Sequence, residues 1–142
     1  MSISTASLLN RLKGSKNFHF FVDESKDDFE ERSLPIILYK LCEERAMIPS
    51  DVIRKAQIER AYGHQIFNGT RTPSRDKLIQ LSLGFGLSLD EAQALLKLAG
   101  KSMLYVKFER DAACMFGISR GMSVMEVQEL LESINLPLLG EN

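Results

Sequence analysis

Residues 41–96 read LCEERAMIPSDVIRKAQIERAYGHQIFNGTRTPSRDKLIQLSLGFGLSLDEAQALL, and this stretch decides the fold. Pro49 suits the first position of a helix that runs to about Ala56. A further helix runs from about Glu59 to Asn68 and ends at Asn68-Gly69, a common C-terminal stop. Only about two residues, around Gln57-Ile58, join these helices, and so short a link forces a steep angle and exposes one side of the later helix. After the loop GTRTPS, Ser74 caps a helix that ends near Gly84. Ser88 and Glu91 have the S-x-x-E spacing of a capping box and open another helix to about Ala99. Upstream, Ser33 caps a helix on which Leu34, Ile37, Leu38, Leu41 and Cys42 follow the i, i+3, i+4, i+7, i+8 rule of one buried face. Three short helices with a tight link between the second and third are the geometry of a helix-turn-helix. Such a unit is expected over residues 34–84.

Working outward, residues 7–14 predict a short helix ending at Gly14. FHFFVDESKDDFEE reads as either a strand or a short helix, and the acidic run Asp23–Glu31 as a solvated connector. After Gly100, a helix is expected from about Lys107 to Arg120. Ser123 and Glu126 form a second capping box that opens a last helix to about Ile134, and LPLLGEN trails off. RDKLIQLSLGFGLSLDEAQALLKLAG from Arg75 and RDAACMFGISRGMSVMEVQELLESIN from Arg110 lie 35 residues apart and share 8 of 26 positions without a gap. Composition alone gives roughly two. Two similar helical hairpins packed together are therefore expected. The chain divides into a helical arm and acidic connector (1–33), a helix-turn-helix domain (34–99) and a C-terminal hairpin packed on it (100–142).

The bulk properties are those of a globular chain: 142 residues, 44% hydrophobic and 26% charged. Cys42 and Cys114 sit singly in apolar helical patterns, so neither a disulfide framework nor a metal site is expected, and no cofactor is implied. No Gly-rich phosphate loop, nucleophile elbow or metal-ligand cluster is present, so no catalytic residue is assigned and an enzyme is not expected. The apolar runs fall well below the roughly 18 residues that span a bilayer. No signal peptide is read at the N-terminus, and the expected compartment is the cytoplasm. Net charge is −1, but residues 34–84 carry 8 basic and 5 acidic side chains, a surplus of +3, while both flanks are negative. Local basic charge is what a phosphate surface responds to.

At Leu41, Glu44-Arg45, Val52, Ile58, Tyr62, Ile66, Asn68-Gly69, Arg71, Pro73-Ser74 and Gly86-Leu87-Ser88-Leu89 the chain resembles the lambda-repressor-like (Xre/Cro-type) family. The resemblance covers about 60 of the 142 residues. It implies an all-α fold: a five-helix domain, here extended by the C-terminal hairpin and preceded by the N-terminal arm. It also implies a sequence-specific transcriptional regulator of double-stranded DNA. Arg60, Ala61, His64 and Gln65 would face base edges. Tyr62, Asn68, Thr70, Arg71 and Arg75 would contact phosphates; for Arg75 the alternative is a structural job, since its Arg-Asp pair recurs at Arg110-Asp111, where no DNA role is expected. Glu59 would favour the positive helix end or accept from cytosine. Family members usually act as dimers, which points to a homodimer through the helices after Gly100.

Three positions differ from the family's usual pattern: Ile53 replaces a small residue, Gln57 replaces Gly in the turn, and Ile48-Pro49 replaces a polar cap and Gln. Gly63, lacking a side chain, would make room for Ile53. Gln57 would adopt a left-handed conformation at a cost of about 1 kcal/mol. The alternative function is a protein-interaction adaptor on the same scaffold, its third helix docking a protein partner. The charges around that helix separate the two readings: an unneutralised basic rim of Arg60, Arg71 and Arg75 favours DNA.

Overall fold

Serine caps organise much of the chain. Ser4, Ser33, Ser74, Ser88 and Ser123 each accept a hydrogen bond from a backbone N–H in the first turn of the helix that follows. The computed structural model describes residues 3–29 and 33–140. Within them the fold is all-helical, with no strand. No helix among the described residues is long and apolar enough to cross a membrane.

The chain forms two compact units, Met1–Glu31 and Arg32–Asn142. In the first, α1 spans Thr5–Gly14 and α2 spans Phe18–Glu24, followed by a 3₁₀ turn at Lys26–Asp28. The ambiguous aromatic stretch is thus a helix. Asn17 decides it: its side chain accepts from the Phe20 N–H at 3.1 Å, which satisfies a donor that a strand would need elsewhere. Phe21 is buried, with the Phe18 and Phe29 rings 6.1 and 5.9 Å away. The expected solvated connector is more structured than its charge suggests. Asp28 accepts from the Ile3 N–H at 3.0 Å and from Arg11 at 3.2 Å. Glu30 and Glu31, also part of that run, lie outside the described residues.

In the second unit, α3 spans Leu34–Glu44, α4 Pro49–Lys55, α5 Arg60–Asn68, α6 Arg75–Phe85, α7 Leu89–Leu98, α8 Glu109–Ser119 and α9 Val124–Ser133. One apolar core runs through all seven, from Leu38 through Val52, Ile66, Leu78 and Leu96 to Val127 and Leu131. Nine of the 11 residues of α6 are buried, which makes it the central helix. Arg45 ties α3 to α7 through both oxygens of Glu91, each at 2.8 Å. Cys42 and Cys114 are free and buried, and burial pushes the Cys114 thiol up to about 11.

The 35-residue repeat has a structural meaning at every shared position. Gly86 and Gly121 are left-handed helix stops, with φ of 71° and 65°. Ser88 with Glu91 and Ser123 with Glu126 are complete capping boxes. Leu96 and Leu131 are both buried, while Leu95 is buried and its counterpart Leu130 half-buried against the core. Gln93 clamps the backbone of Leu104, accepting its N–H at 2.7 Å and donating to its carbonyl at 2.8 Å. Gln128 does the same to Leu139, at 2.7 and 3.0 Å. The Arg-Asp pairs cross between the copies. Arg75 donates to both carboxylate oxygens of Asp111, at 3.0 and 2.8 Å. Arg110 donates to both oxygens of Asp76, at 3.0 and 2.9 Å. Each copy therefore gives the other what it receives, as in an isologous contact.

Residues 136–140 do not trail off as their sequence suggests. Arg110 donates to the Pro137 and Leu138 carbonyls, both at 2.9 Å, and the Gly140 N–H donates to Asp76 at 3.0 Å. Glu141 and Asn142 lie outside the described residues.

Candidate nucleic-acid interface

The link between α4 and α5 is built as the sequence requires. The Ala56 N–H returns to the Val52 carbonyl at 2.8 Å and the Ile58 N–H to Ile53 at 3.2 Å. Between them Gln57 stands at φ 55°, in the left-handed region. Gln80, buried on α6, donates to the Ala56 carbonyl at 3.0 Å and so holds the turn from below. Ile53 fills the angle between the helices. A Cβ built on Gly63 would stand 2.5 Å from Ile53 Cγ2, so the glycine is what admits the larger side chain. Because the left-handed conformation is costly for a residue with a Cβ, Gln57→Gly is expected to stabilise the fold by about 1 kcal/mol. Thermal unfolding checks this: an unchanged or lower midpoint would show that Gln57 makes a compensating contact.

Glu59 is the N-cap of α5 and accepts from the Ala61 and Tyr62 N–H groups at 3.1 and 2.8 Å. The Tyr62 N–H, then that of Ala61, holds its carboxyl below the usual carboxylate range. Of the two roles open to Glu59, the helix-start role is the one the fold uses.

Arg60 and Ala61 are exposed, while His64 and Gln65 are half-buried along the same helix. Among the described residues Arg60 makes no ion pair; it lines a surface groove with Ser50, Asp51, Ile53, Arg54, Ile58 and His64. Arg71 is exposed and held by two contacts. Its guanidinium lies 4.4 Å from the Tyr62 ring centroid and Nε donates to Gln65 Oε1 at 2.9 Å. Gln65 is therefore already engaged through its oxygen. Thr70 folds back on Asn68, its hydroxyl donating to Oδ1 at 2.7 Å.

Arg75 departs from the expectation of a phosphate contact. Its Nε donates to the Ser102 carbonyl at 2.9 Å, Nη2 to Met103 at 3.1 Å, and both Nη atoms to Asp111. This side chain serves the joint between the repeats, because Asp111 and two carbonyls take four of its five N–H donors. Sequence reasoning passed over Lys77, whose ammonium lies 5.6 Å from the Tyr62 ring on the side of α6. Its signal was positional: three residues after the Ser74 cap, it falls in the first turn of a helix next to Arg71. The basic edge around α5 is then Arg60, Arg71 and Lys77.

No group of His, Cys, Asp and Glu among the described residues is arranged to hold a metal ion. Comparison with known proteins gave no matching family model, no matching curated protein and no matching solved structure.

Proposed function

We propose that this chain is a sequence-specific DNA-binding transcriptional regulator, with α3–α7 forming a lambda-repressor-like helix-turn-helix domain that reads the major groove through α5. The observation that carries the reading is the α4–α5 link. A left-handed Gln57, an Ile53 seated against Gly63 and a Glu59 cap together present Arg60 and Ala61 outward at the start of a short helix. That is the end of the helix from which base edges are read in such units. Arg60 matches guanine O6 and N7, and the Gln65 amide matches adenine once its oxygen exchanges Arg71 for the base. Arg71 and Lys77 flank the helix as phosphate partners.

Selection of bound sequences from random double-stranded DNA, with the full chain at moderate salt, tests the reading. A motif is expected. Arg60→Ala is then expected to relax it at one position and cost about 1–3 kcal/mol there. Arg71→Ala is expected to weaken all sequences alike and reduce the salt slope by about 1. If no sequence is enriched and Arg60→Ala leaves residual binding unchanged, the DNA reading fails.

A second reading, a protein-interaction adaptor on the same scaffold, is favoured by two observations. Arg75 is withdrawn from the rim by Asp111, and Gln65 is held by Arg71. Failure of the selection would leave α5 as a docking helix for a protein.

A further inference from the structure

Gln80, on α6, touches two separate parts of the unit. It is 2% exposed. Its amide nitrogen donates to the Ala56 and Gln57 carbonyls, at 3.0 and 3.5 Å, and so grips the link from which α5 departs. Among the described residues its amide oxygen is the one buried side-chain nitrogen or oxygen without a hydrogen-bond partner. Such an acceptor is costly to bury, so an amide left to itself would turn to satisfy it.

The tail at 136–140 is what confines it. A Cβ built on Gly140 would stand 2.7 Å from Gln80 Oε1 and 2.9 Å from Lys77 Nζ. Gly140 has φ 78°, and only glycine combines that conformation with so close an approach. The tail is itself fixed from Pro137 onward. Arg110 holds the Pro137 and Leu138 carbonyls, Gln128 clamps Leu139, and the Gly140 N–H donates to Asp76.

The repeat shows the same joint without this contact. Thirty-five residues earlier Gln93 clamps Leu104, and the Tyr105 N–H donates to Asp111. There the counterpart of Gly140 is Tyr105, which has no left-handed φ, and the counterpart of Gln80 is Met115. The joint therefore closes without a glycine and without an amide. The pair occurs only where a tail meets the helix that carries the α4–α5 link. Contact with the link, rather than packing of the joint, accounts for it.

We propose that Gly140 and Gln80 are positioning residues for α5: the tail, seated through Gly140, holds the Gln80 amide on the link, so that tail seating and link geometry form one equilibrium. Lifting the tail would let water reach Oε1 and let the amide turn away from Ala56. The coupling belongs to the fold, and only its bearing on base reading rests on the proposed function.

Amide hydrogen exchange of the full chain, with no DNA present, tests the coupling. The reporters are the Ala56, Gln57 and Ile58 N–H groups, which close the link on Val52, Arg54 and Ile53. The Ile37 and Ala92 N–H groups, in the first turns of α3 and α7, are the controls. Gln80→Met installs the other copy's residue at similar volume. It is expected to speed exchange at the link about tenfold, the worth of one hydrogen bond, and to leave the controls unchanged. Gly140→Ala is expected to do the same from the tail, by displacing the amide or by lifting the tail from it. The double variant is expected to exchange no faster at the link than Gln80→Met, because the tail then has no amide to act through. Link amides unmoved by Gly140→Ala, controls that rise with them, or effects that add in the double variant overturn the proposal. Where selection yields a DNA motif, Gly140→Ala is also expected to weaken binding to it about threefold or more. A chain that selects no DNA but keeps this exchange pattern loses the DNA reading and keeps the coupling.

Discussion

Replacing Asp111 with alanine is expected to lower the stability of the Arg32–Asn142 unit by about 3–5 kcal/mol, read from urea unfolding of the full chain. The Asp111 side chain is only 8% exposed and that of Arg75 25%. The substitution would leave a largely buried guanidinium without its counter-charge and orphan the Tyr105 N–H, which now donates to Asp111 at 2.9 Å. Asp76→Ala is expected to act alike, stranding Arg110 and the Gly140 N–H. Removing both partners, as in Arg75→Ala/Asp111→Ala, is expected to cost less than the two single losses added together. A loss below about 1 kcal/mol for Asp111→Ala would class the joint with exposed ion pairs and refute the role given to it.

The same joint has a pH signature. Burial pushes the Asp76 and Asp111 carboxyls up. Arg110 and Arg75, with the Gly140 and Tyr105 N–H groups, outweigh it and hold both below their ordinary value of 3.8. Folded values below the unfolded ones mean stability that is present above about pH 4 and lost as pH falls through the folded values. Part of the acid sensitivity of the chain should therefore disappear in the two alanine variants.

Gly63→Ala is expected to destabilise the chain by about 1–3 kcal/mol, although alanine is the better helix former by about 1 kcal/mol. The added methyl would meet three atoms of one side chain, Ile53 Cγ2, Cγ1 and Cδ1, at 2.5, 2.7 and 2.9 Å. Ile53 is 3% exposed and cannot swing into solvent. The collision is local, so its remedy should be local as well. Ile53→Ala/Gly63→Ala is expected to be at least as stable as Ile53→Ala alone, because the new methyl then fills a vacated space. Additive losses in that double-mutant cycle would locate the strain elsewhere. Where the DNA reading holds, Gly63→Ala should also disturb binding, since Ile53 sets the angle at which α5 leaves the turn.

Much of the framework was legible because caps and stops are local. Ser33, Ser74, Ser88 and Ser123 mark helix starts, and Gly69, Gly86 and Gly121 mark ends, without reference to the rest of the chain. The Ile53–Gly63 pairing and the left-handed Gln57 were legible through the resemblance, which implies a small residue and a glycine at positions 53 and 57. The aromatic stretch at 18–21 was undecided, since three phenylalanines in four positions fit either period, and only the Asn17 cap separates them. The tail at 136–140 has no period at all, and its order comes from Arg110, Gln128 and Asp76 on distant helices. For the candidate interface, the resemblance placed Arg60, Ala61, His64 and Gln65 on the outward side of α5, where the first two are exposed and the last two half-buried. The recurrence of Arg75-Asp76 as Arg110-Asp111 already pointed to a structural job for Arg75; what it could not supply was the partner, Asp111, 36 residues away.

The crossed Arg-Asp pairs have a consequence for how the two copies can change. At a self-complementary joint, the residue offered by one copy is also the residue met by the other. An altered arginine in the first copy would therefore need a matching alteration of the aspartate in the second. The remaining positions carry no such bond. Gln80 faces the Ala56 carbonyl, whereas Met115, its counterpart in the second copy, does not, and the two were free to diverge. Of the eight identities, the arginine and the aspartate mark where each copy is answerable to its twin, and the others serve stops, caps, clamps and packing within each copy.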